Sequence, residues 1–416
     1  MALFFYNIFL RFYVLGVRIA SLKSKKATLW LKGRVAIFTA IATWRANIGE
    51  DEKVIWAHCA SLGEFEQGRP LLEKIKLQYP SHKIILTFFS PSGFEVRKNY
   101  IKADGIFYLP MDGKKNAAIF IHIIKPSLVI WVKYEYWFYY LKELKNKNIP
   151  VILVSAIFRE TQPFFKWYGN LWKKILCSFN KIFVQNENSV ILLKNIGFSE
   201  NVVLAGDTRF DSVIEIAENK ISLPNELISF CNYKKVLVAG STWLEDEEIL
   251  VHFARSHKDV KFIIAPHEVE EERIIEIEKL FDGAVRYSDF IAGKAASQVI
   301  IVDNIGMLSK LYEFATVAYI GGGFNDSGIH NILEAAVYGK PIVFGQEYEK
   351  FNEAVDLVQL GAAFSIENVL ALETLLIKLL NNKAANEAAS IISKNYVLEK
   401  QGATQNILEY LKQISF

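Results

Sequence analysis

The sequence predicts an α/β protein with two doubly wound domains, a cleft between them and an apolar helix at the amino terminus. Three observations support this prediction. The chain of 416 residues is long enough for two domains. Short apolar, β-branched runs alternate with helical patterns along both halves, and polar clusters follow several of these runs. Parallel sheets covered on both faces bind ligands at the carboxyl ends of their strands, so the polar clusters mark candidate sites.

Predicted domains follow the alternation of strand and helix. We expect a first domain over 50–217, a linker over 218–233 that contains Pro224, and a second domain over 234–395. The predicted strands are 54–60, 83–89, 128–132, 151–155, 181–184 and 202–205, then 235–240, 260–265, 299–302, 317–320 and 342–344. Helical patterns cover 68–78 and 137–147. The last segment, 396–416, contains a helix over 407–414 that we expect to pack back on the first domain.

Composition excludes several classes of protein. Apolar residues make up 51% of the chain and charged residues 22%, which is typical of a folded globular protein. Its three cysteines are widely spaced, which argues for a reducing compartment and against a disulfide frame or a zinc site. Residues 1–49 contain eight Lys/Arg and no Asp/Glu, leaving 40 basic against 45 acidic residues elsewhere. The body of the protein therefore has no basic stripe of the kind that binds nucleic acid.

The amino-terminal segment, 1–34, is predicted to be a membrane-anchoring helix with a basic flank. Residues 1–22 are apolar and aromatic apart from a narrow stripe of Asn7, Arg11 and Arg18. The basic flank consists of Lys23, Lys25, Lys26, Lys32 and Arg34. Two arginines within the run make a full crossing costly, and the flank would contact anionic lipid, so we expect an interfacial helix. The alternative is a helix packed on the protein's own surface.

Glu64 is the first candidate catalytic residue. It follows the predicted strand 54–60 within the motif SLGEFE, at the start of a helix. A carboxylate at this edge of a sheet is well placed to act as a general base. The alternative is a capping box between Ser61 and Glu64, which has the same spacing.

Two further candidates follow later strands of the first half. Glu135 lies in the aromatic motif WVKYEYW, where a partly desolvated carboxylate suits proton transfer. A structural pair between Lys133 and Glu135 is the alternative. Arg209 lies in AGDTRFD and offers a permanent, forked cation for a phosphate or carboxylate. Its alternative is a salt bridge to Asp207 or Asp211.

In the second half, the most informative stretch is a glycine corner within 317–348. A strand ends in Gly321, Gly322 and Gly323, and a helix is predicted from Asn331 to Gly339. Glycines let backbone N–H groups approach a ligand, and a helix start favours an anion. Capping of the helix by the pair of residues at 331 and 334 is the alternative. Polar loops also follow the other strands, and they contain Ser241 and Thr242, 266–268, and 303–308.

Six blocks of the sequence stand out: HCASLGEFEQGRPLL, IKPSLVIWVKYEYW, LAGDTRFD, AGSTWLEDEE, APHEVEEER and GGGFNDSGIHNILEAAVYGKPIVFG. In their order and spacing they resemble one family, the bacterial Kdo transferases. Kdo is 3-deoxy-D-manno-oct-2-ulosonic acid. The resemblance covers nearly the whole chain. It departs from the family where Lys133 replaces the first of two acidic residues, and where His267 and Glu268 replace an Arg-His pair.

The resemblance implies an inverting glycosyltransferase of the GT-B architecture, with two Rossmann-like domains, no metal and no cofactor. Its donor would be CMP-Kdo and its acceptor the lipid A precursor, lipid IVA, at the cytoplasmic face of the inner membrane. Glu64 would be the general base, and Glu135 and Arg209 would stabilise the transition state. The residues implied to bind CMP are Pro266, His267, Glu268, Gly306, Met307, Leu308, Asn331, Ile332, Leu333 and Glu334. The blocks AGSTWLEDEE and GGGFNDSGIHNILEAAVYGKPIVFG further suggest a donor loop of Ser241, Thr242, Gly321, Gly322 and Gly323.

Two other functions compete with this one. Another GT-B enzyme would use a UDP-sugar, as a transferase or an epimerase. A non-catalytic module would bind the membrane surface through residues 1–34 without turnover. Polar clusters at strand ends in both halves favour an enzyme. The aromatic residues from Tyr134 to Tyr140 are predicted to lie near the acyl chains of the acceptor.

Overall fold

The computed structural model describes residues 2–219, 223–296 and 298–416. Contacts divide the chain into two compact units. The first runs to Ser212 and includes Gln401–Phe416, and the second is Val213–Lys400. A compact unit defined by contacts is not the same as a domain that folds by itself. The predicted domain limits therefore stay predictions.

Each unit contains one sheet of seven parallel strands. The strands of the first sheet are β1 Val54–Cys59, β2 Lys83–Phe88, β3 Gly105–Tyr108, β4 Pro126–Val132, β5 Val151–Ala156, β6 Lys181–Val184 and β7 Val202–Leu204, in the order β3-β2-β1-β4-β5-β6-β7. Those of the second sheet are β8 Lys235–Thr242, β9 Val260–Pro266, β10 Val285–Arg286, β11 Val299–Ile301, β12 Val317–Ile320, β13 Ile342–Phe344 and β14 Ala363–Ser365, in the order β10-β11-β9-β8-β12-β13-β14. Both orders are doubly wound, so the predicted fold class is confirmed.

Helices cover both faces of each sheet. The first ten are α1 Ala2–Ala20, α2 Lys25–Lys32, α3 Ile37–Ala46, α4 Leu62–Gln78, α5 Pro91–Arg97, α6 Lys114–Ile124, α7 Phe138–Asn146, α8 Asn170–Leu176, α9 Glu187–Asn195 and α10 Thr208–Glu218. The others are α11 Asn225–Cys231, α12 Leu244–Ser256, α13 Glu271–Leu280, α14 Tyr287–Ile291, α15 Leu308–Leu311, α16 Leu333–Ala336, α17 Asn352–Leu360, α18 Val369–Asn381, α19 Lys383–Glu399 and α20 Ala403–Gln413. Short 3₁₀ turns occur at Pro163–Phe165 and Tyr312–Phe314.

Burial explains why the central strands could be predicted from the sequence. Every residue of β1 and β5 is buried, because helices cover both faces of a parallel sheet. One core of the first unit lies under α1, α3, α6 and α7. The other lies under α4 and α20, where Ile407, Leu408 and Leu411 are buried with Leu71 and Ile75. Both cores hold the loops after β1 and β4 in place.

The sequence predictions missed three strands and the helix α11. The missed strands, β3, β10 and β14, are all edge strands and only two to four residues long. An edge strand is half exposed, so it lacks the continuous apolar run of a central strand. Within the segment 218–233, Asn225–Cys231 forms α11 with Leu227, Phe230 and Cys231 buried, and the role of this segment as a linker stays a prediction. Residues 220–222 of that segment lie outside the described residues.

Candidate active site

The topological switch point of the first sheet lies between β1 and β4, where the strand order reverses. The chain leaves β1 through Ser61 into α4, and it leaves β4 through Lys133 towards Glu135. Lys133 has a φ of 62°, a left-handed conformation that costs free energy in a residue other than glycine and often marks a functional site. In open α/β sheets, ligands bind at the carboxyl ends of strands at such a point. The residues predicted to be catalytic therefore flank the position where this fold binds ligands.

Glu64 lies in the first turn of α4 and is 8% exposed. Its Oε2 accepts a hydrogen bond of 2.5 Å from the N–H of Ala60, and its own N–H donates to Ser61 Oγ at 3.4 Å. Ser61 therefore caps the helix as predicted, but the carboxylate bonds to the residue before the cap. Burial raises the pKa of Glu64 to about 7, and the charge of Glu135 adds to the rise, against backbone hydrogen bonds that lower it. This carboxyl can take up or release a proton near neutral pH.

Glu135 is held by two side chains. Its Oε2 lies 2.8 Å from Nε2 of His58 and accepts a hydrogen bond of 3.0 Å from the indole of Trp137. His58 is fully buried, and its Nδ1 lies 2.9 Å from the hydroxyl of Thr87. This chain of bonds fixes the carboxylate of Glu135. The sequence predictions did not single out His58, although a histidine at the end of a buried strand was the available signal.

The loop after β4 brings the three predicted catalytic residues together. Burial raises the pKa of Tyr134, the positive charges of Arg159 and Arg209 oppose this rise, and the negative charge of Glu64 adds to it. Glu135 follows Tyr134 directly and raises the pKa of Glu64. The charges of Glu64 and Arg209 thus both act on Tyr134, and Glu135 is its neighbour in the chain. The sequence did not indicate Arg159, because it lies in an exposed loop after β5 without a recognisable motif.

Arg209 has an oriented guanidinium. Its Nε lies 2.9 Å from Oδ2 of Asp207, and its backbone N–H donates to Oδ1 of the same carboxylate at 2.9 Å. The salt bridge to Asp207 is therefore confirmed. Asp211 has a different role, because its carboxylate accepts hydrogen bonds of 2.6 Å from the N–H groups of Gly402 and Thr404 at the start of α20. A contact of Arg209 with phosphate stays a prediction.

The second sheet has its switch point between β8 and β12, where Ser241 and the glycine corner meet. A Cβ atom added to Gly321 would lie 2.3 Å from the carbonyl oxygen of Ser241, and one on Gly323 would lie 2.5 Å from the nitrogen of Gly345. Ser241 itself has a left-handed φ of 54°. Glycine is required at 321 and 323 because the protein's own backbone segments approach so closely. Access for a ligand is not needed to explain these glycines.

Two N–H groups of the corner already have partners. Gly321 donates to the carbonyl of Gly240, and Gly322 donates to Oδ2 of Asp246, each at 2.9 Å. These two N–H groups therefore bond within the protein, and the assignment of the glycines to a donor loop stays a prediction. Asp246 is 1% exposed and also accepts a hydrogen bond of 2.7 Å from the hydroxyl of Tyr319. Asp246 holds the corner in shape, and the acidic run of AGSTWLEDEE was the only signal for it.

The helix predicted from Asn331 to Gly339 is much shorter. The structure has only α16, Leu333–Ala336, followed by turns. One helical turn has a small dipole, so the predicted anion site at its start is not supported. Asn331 instead caps the turn: its Oδ1 accepts from the N–H of Leu333 at 3.2 Å, and its amide donates to Glu334 Oε1 at 3.1 Å. Ile332 and Leu333 are buried, which leaves their backbone as the part able to contact a ligand.

Three rings stack beside the end of β9. His267, directly after Pro266, lies with its ring centroid 4.7 Å from Trp243 and 4.5 Å from His330. The Trp243 indole donates to Nε2 of His330 at 3.3 Å. Burial lowers the pKa of His330 to about 4, and His267 adds to the effect, so its ring is neutral at neutral pH. Glu268 is exposed next to this stack. His330 was quoted within a motif but not predicted as a site residue.

The remaining donor-binding candidates are the segment before α15 and the end of β8. Gly306 has a φ of 97° and open space around it, and Met307 precedes α15. Leu308 packs beside Gly240 of β8. Thr242 is buried and donates to Oε1 of Glu247 at 2.8 Å. The assignment of these residues to donor binding stays a prediction.

Helix α1 has one face on the protein and one face exposed. Tyr6 donates to Oδ2 of Asp112 at 2.6 Å, Tyr139 donates to Oδ1 of Asn7 at 2.8 Å, and Leu10 is buried. The other face carries exposed apolar side chains: Phe4, Phe5, Phe9, Phe12, Leu15 and Ile19. Among the described residues, α1 is the one helix long and apolar enough to cross a membrane. The alternative of packing on the protein is thus correct for one face only.

Arg34 does not belong to the exposed basic flank. Its guanidinium lies 3.8 Å from the ring centroid of Trp30 and donates to the carbonyls of Leu109 at 2.9 Å and Phe89 at 2.8 Å. Burial lowers the pKa of Arg34 to about 10, so it stays charged at neutral pH. The prediction of a lipid contact is wrong for this residue. Arg34 instead ties the segment after α2 to the first sheet.

The predicted placement of the aromatic block near acyl chains is also wrong for three of its six aromatic residues. Tyr136, Phe138 and Tyr140 are 8%, 9% and 0% exposed, and all three belong to the core of the first unit. They lie on the inner side of the loop after β4 and of α7. Tyr134 of this block is exposed, with 37% of its surface accessible.

No group of three or more His, Cys, Asp or Glu side chains in the described part of the chain is arranged to hold a metal ion. The expectation of a reaction without metal or cofactor stays a prediction. Cys59 and Cys231 are buried as free thiols, and Cys177 is exposed.

Comparisons with known proteins agree with this fold. The model of the family described as 3-deoxy-D-manno-octulosonic-acid transferase (kdotransferase) matches residues 34–212. A 3-deoxy-D-manno-octulosonic acid transferase of Aquifex aeolicus is 31% identical over 79% of this chain and 86% of its own length. One of Haemophilus influenzae is 25% identical over 86% of both chains. A bifunctional glycosyltransferase/methyltransferase of Fusobacterium nucleatum is 28% identical over 88% of this chain, which spans 60% of that relative.

Solved structures show the fold. The UDP-GlcNAc 2-epimerase from Neisseria meningitidis superposes with a TM-score of 0.61 at 16% identity, over 87% of this chain and 100% of its own. MurG of Acinetobacter baumannii gives 0.54 at 13% identity, with the same shares. The two doubly wound sheets and the relatives together define a glycosyltransferase of the GT-B class. Within that class, the chain belongs to the Kdo transferase family.

Proposed function

We propose that the protein transfers Kdo from CMP-Kdo to a hydroxyl of the lipid A precursor, lipid IVA, with inversion and with Glu64 as general base. The observation that carries the proposal is the state of Glu64. Its carboxyl is buried at the switch point of the first sheet, and its pKa of about 7 lies near the pH of the cytoplasm. A general base works best when its pKa is close to the pH of the reaction.

In the proposed step, the acceptor hydroxyl oxygen forms a bond to the anomeric carbon of Kdo while the bond from that carbon to the CMP phosphate breaks. The hydroxyl proton passes to the carboxylate of Glu64, and the bonding electrons leave with CMP. Positive charge develops on the sugar ring, and Glu135 is the fixed anion proposed to stabilise it. Arg209, oriented by Asp207, is the cation proposed to stabilise the phosphate.

The second unit is proposed to bind the CMP part of the donor. The stack of Trp243, His267 and His330 supports this, because aromatic faces stack on nucleobases with a gain of roughly 1–3 kcal/mol per base. The loops over 306–308 and 331–334 are proposed to complete this site. We further propose that the transfer requires no metal and no cofactor. Activity that persists in excess chelator is the expected result.

Helix α1 is proposed to hold the enzyme at the cytoplasmic face of the inner membrane. Its exposed face carries Phe5, Phe9 and Phe12, which are 60%, 55% and 66% exposed. Apolar side chains at such exposure favour the boundary between lipid headgroups and acyl chains. The exposed lysines at the start of α2, Lys25 and Lys26, are proposed to contact anionic headgroups.

The test is transfer by purified protein, with CMP-Kdo generated in situ and the tetraacylated lipid A precursor, read by mass spectrometry. We expect Kdo addition by the wild type and near-complete loss in Glu64→Gln. Glu66→Gln is the matched control, because it makes the same change two residues along α4, where Glu66 pairs with Arg69 and Arg97. Transfer that survives in Glu64→Gln would leave Glu64 a structural role only.

The same assay separates the competing functions. Turnover of a UDP-sugar, without turnover of CMP-Kdo, would identify another GT-B enzyme. Binding to anionic vesicles without any turnover would identify a membrane-surface module.

A further inference from the structure

We propose that one acyl chain of the lipid acceptor binds in a groove between α1 and α2, an inference that rests on the proposed function. The groove has a volume of about 520 Å³, and Phe12, Gly16, Ala20, Ala27, Trp30 and Phe89 line most of it. Such a volume lies within the roughly 300–1,000 Å³ typical of small-molecule sites. Small side chains at 16, 20 and 27 create the space, and aromatic rings form its walls.

The groove is continuous with the exposed apolar face of α1. Phe12 belongs to both, since it is 66% exposed and also lines the groove. Gly16 lies one turn further along the helix, and an added Cβ atom there would meet no heavy atom within 4 Å. An acyl chain of a lipid that already lies in the membrane can therefore enter the groove without crossing water. This continuity favours an acyl chain over a soluble apolar ligand.

The inner wall of the groove leads to the catalytic residues. The ring of Phe89 lies 5.8 Å from Tyr13 and 4.7 Å from Trp137, centroid to centroid. Trp137 donates to the carboxylate of Glu135 at 3.0 Å. The next residue, Ser90, donates its N–H to the carbonyl of Ala60 at 2.8 Å, directly before the loop that carries Glu64. A chain in the groove would thus place its attached sugar beside the proposed base.

The lining of the groove also includes polar and positively charged side chains. Ser24 and Lys26 line it, and Lys25 is exposed beside Lys26. An ammonium group next to an apolar groove matches an amphiphile whose charged headgroup is anionic. The structure therefore assigns the acyl chain to this groove, instead of to the buried aromatic residues after β4.

Gly16→Leu tests the proposal, because leucine fills the groove and also favours the helix. We expect the KM for the tetraacylated acceptor to rise about tenfold, which corresponds to leaving roughly two methylene groups outside the groove. The KM for the deacylated acceptor glycan, binding to anionic vesicles and the KM for CMP-Kdo should all stay unchanged. The matched control is Ala42→Leu, which adds the same side chain on the exposed face of α3.

Two results would overturn the assignment. One is an unchanged KM for the acylated acceptor in Gly16→Leu. The other is an equal loss for acylated and deacylated acceptors together with weaker vesicle binding, since the groove would then hold bulk lipid. A direct measurement separates this outcome from failure of the proposed function. Tetraacylated precursor with a diazirine on an acyl chain should label residues 12–30 and 89–91 in wild type, and less in Gly16→Leu, whether or not Kdo is transferred.

Discussion

The pH dependence of transfer gives the sharpest test of Glu64 as the base. Its pKa is raised to about 7 from an ordinary value of 4.5, and a base must be deprotonated to act. We therefore expect log kcat/KM to rise by about one unit per pH unit below pH 7 and to level off above it. At pH 6 the wild type should retain about a tenth of its maximum kcat/KM.

The origin of the raised pKa supplies a second variant for this test. Burial raises the pKa of Glu64 most, and the charge of Glu135 raises it further. Glu135→Gln removes that charge without changing size, so the rising limb should move to lower pH, while the maximum rate also falls. Because the substrates are the same for both enzymes, a shift of the rising limb would show that the titrating group is in the enzyme and not in a substrate. Glu66→Gln should leave the limb where it is.

The measurement is kcat/KM for lipid IVA from pH 5.5 to 8.5, by quantitative mass spectrometry, with CMP-Kdo at saturation. Glu64→Gln should lose about 10²- to 10⁴-fold at pH 8, the usual contribution of a general base. A flat profile between pH 5.5 and 7 in wild type would refute the reasoning. So would a limb that keeps its position in Glu135→Gln.

Three further predictions concern stability and docking. The folded protein favours the protonated form of Glu64, so the stability of the protein should fall by at most about 3 kcal/mol as pH rises from about 4.5 to about 7. Glu64→Gln should therefore raise Tm at pH 8 but not at pH 5. A lower Tm at both pH values would contradict this. Tyr6→Phe removes the hydrogen bond to Asp112 and should lower the free energy of unfolding by about 1.5–3 kcal/mol, with faster hydrogen exchange in α1. Unchanged exchange would show that other contacts hold α1. Gly321→Ala would bring Cβ to 2.3 Å from the Ser241 carbonyl and should lower stability by about 1–3 kcal/mol in denaturant unfolding; a neutral effect would mean that the corner can open.

Most strands could be predicted because their side chains face two covered surfaces. Strands β6, β12 and β13 begin and end where the sequence predicts, and each is an uninterrupted run of apolar residues apart from Lys181 at the first position. The edge strands β3, β10 and β14 escaped prediction because one side of each has no neighbouring strand, so little in the sequence distinguishes them from loops. The edge strand β7 was predicted.

The candidate site was predicted in part. A glutamate directly after a buried strand is a local feature, so Glu64 and Glu135 stood out. His58 and Asp246 did not, because their importance depends on a partner far along the chain: Glu135 for His58, and Gly322 for Asp246. The glycine corner was recognised for the wrong reason, since its glycines fit the protein's own backbone.

The sequence by itself determined where the chain is apolar, where strands end and which polar side chains follow them, because these features repeat within a few residues. Only the tertiary structure decided that β1 and β4 are neighbours, which brings Glu64 within range of the charge of Glu135. It also decided that one face of α1 bonds to Asp112, more than a hundred residues away, while the other stays exposed. Such pairings depend on how whole faces of helices and sheets are buried together, and a local pattern contains no record of its distant partner.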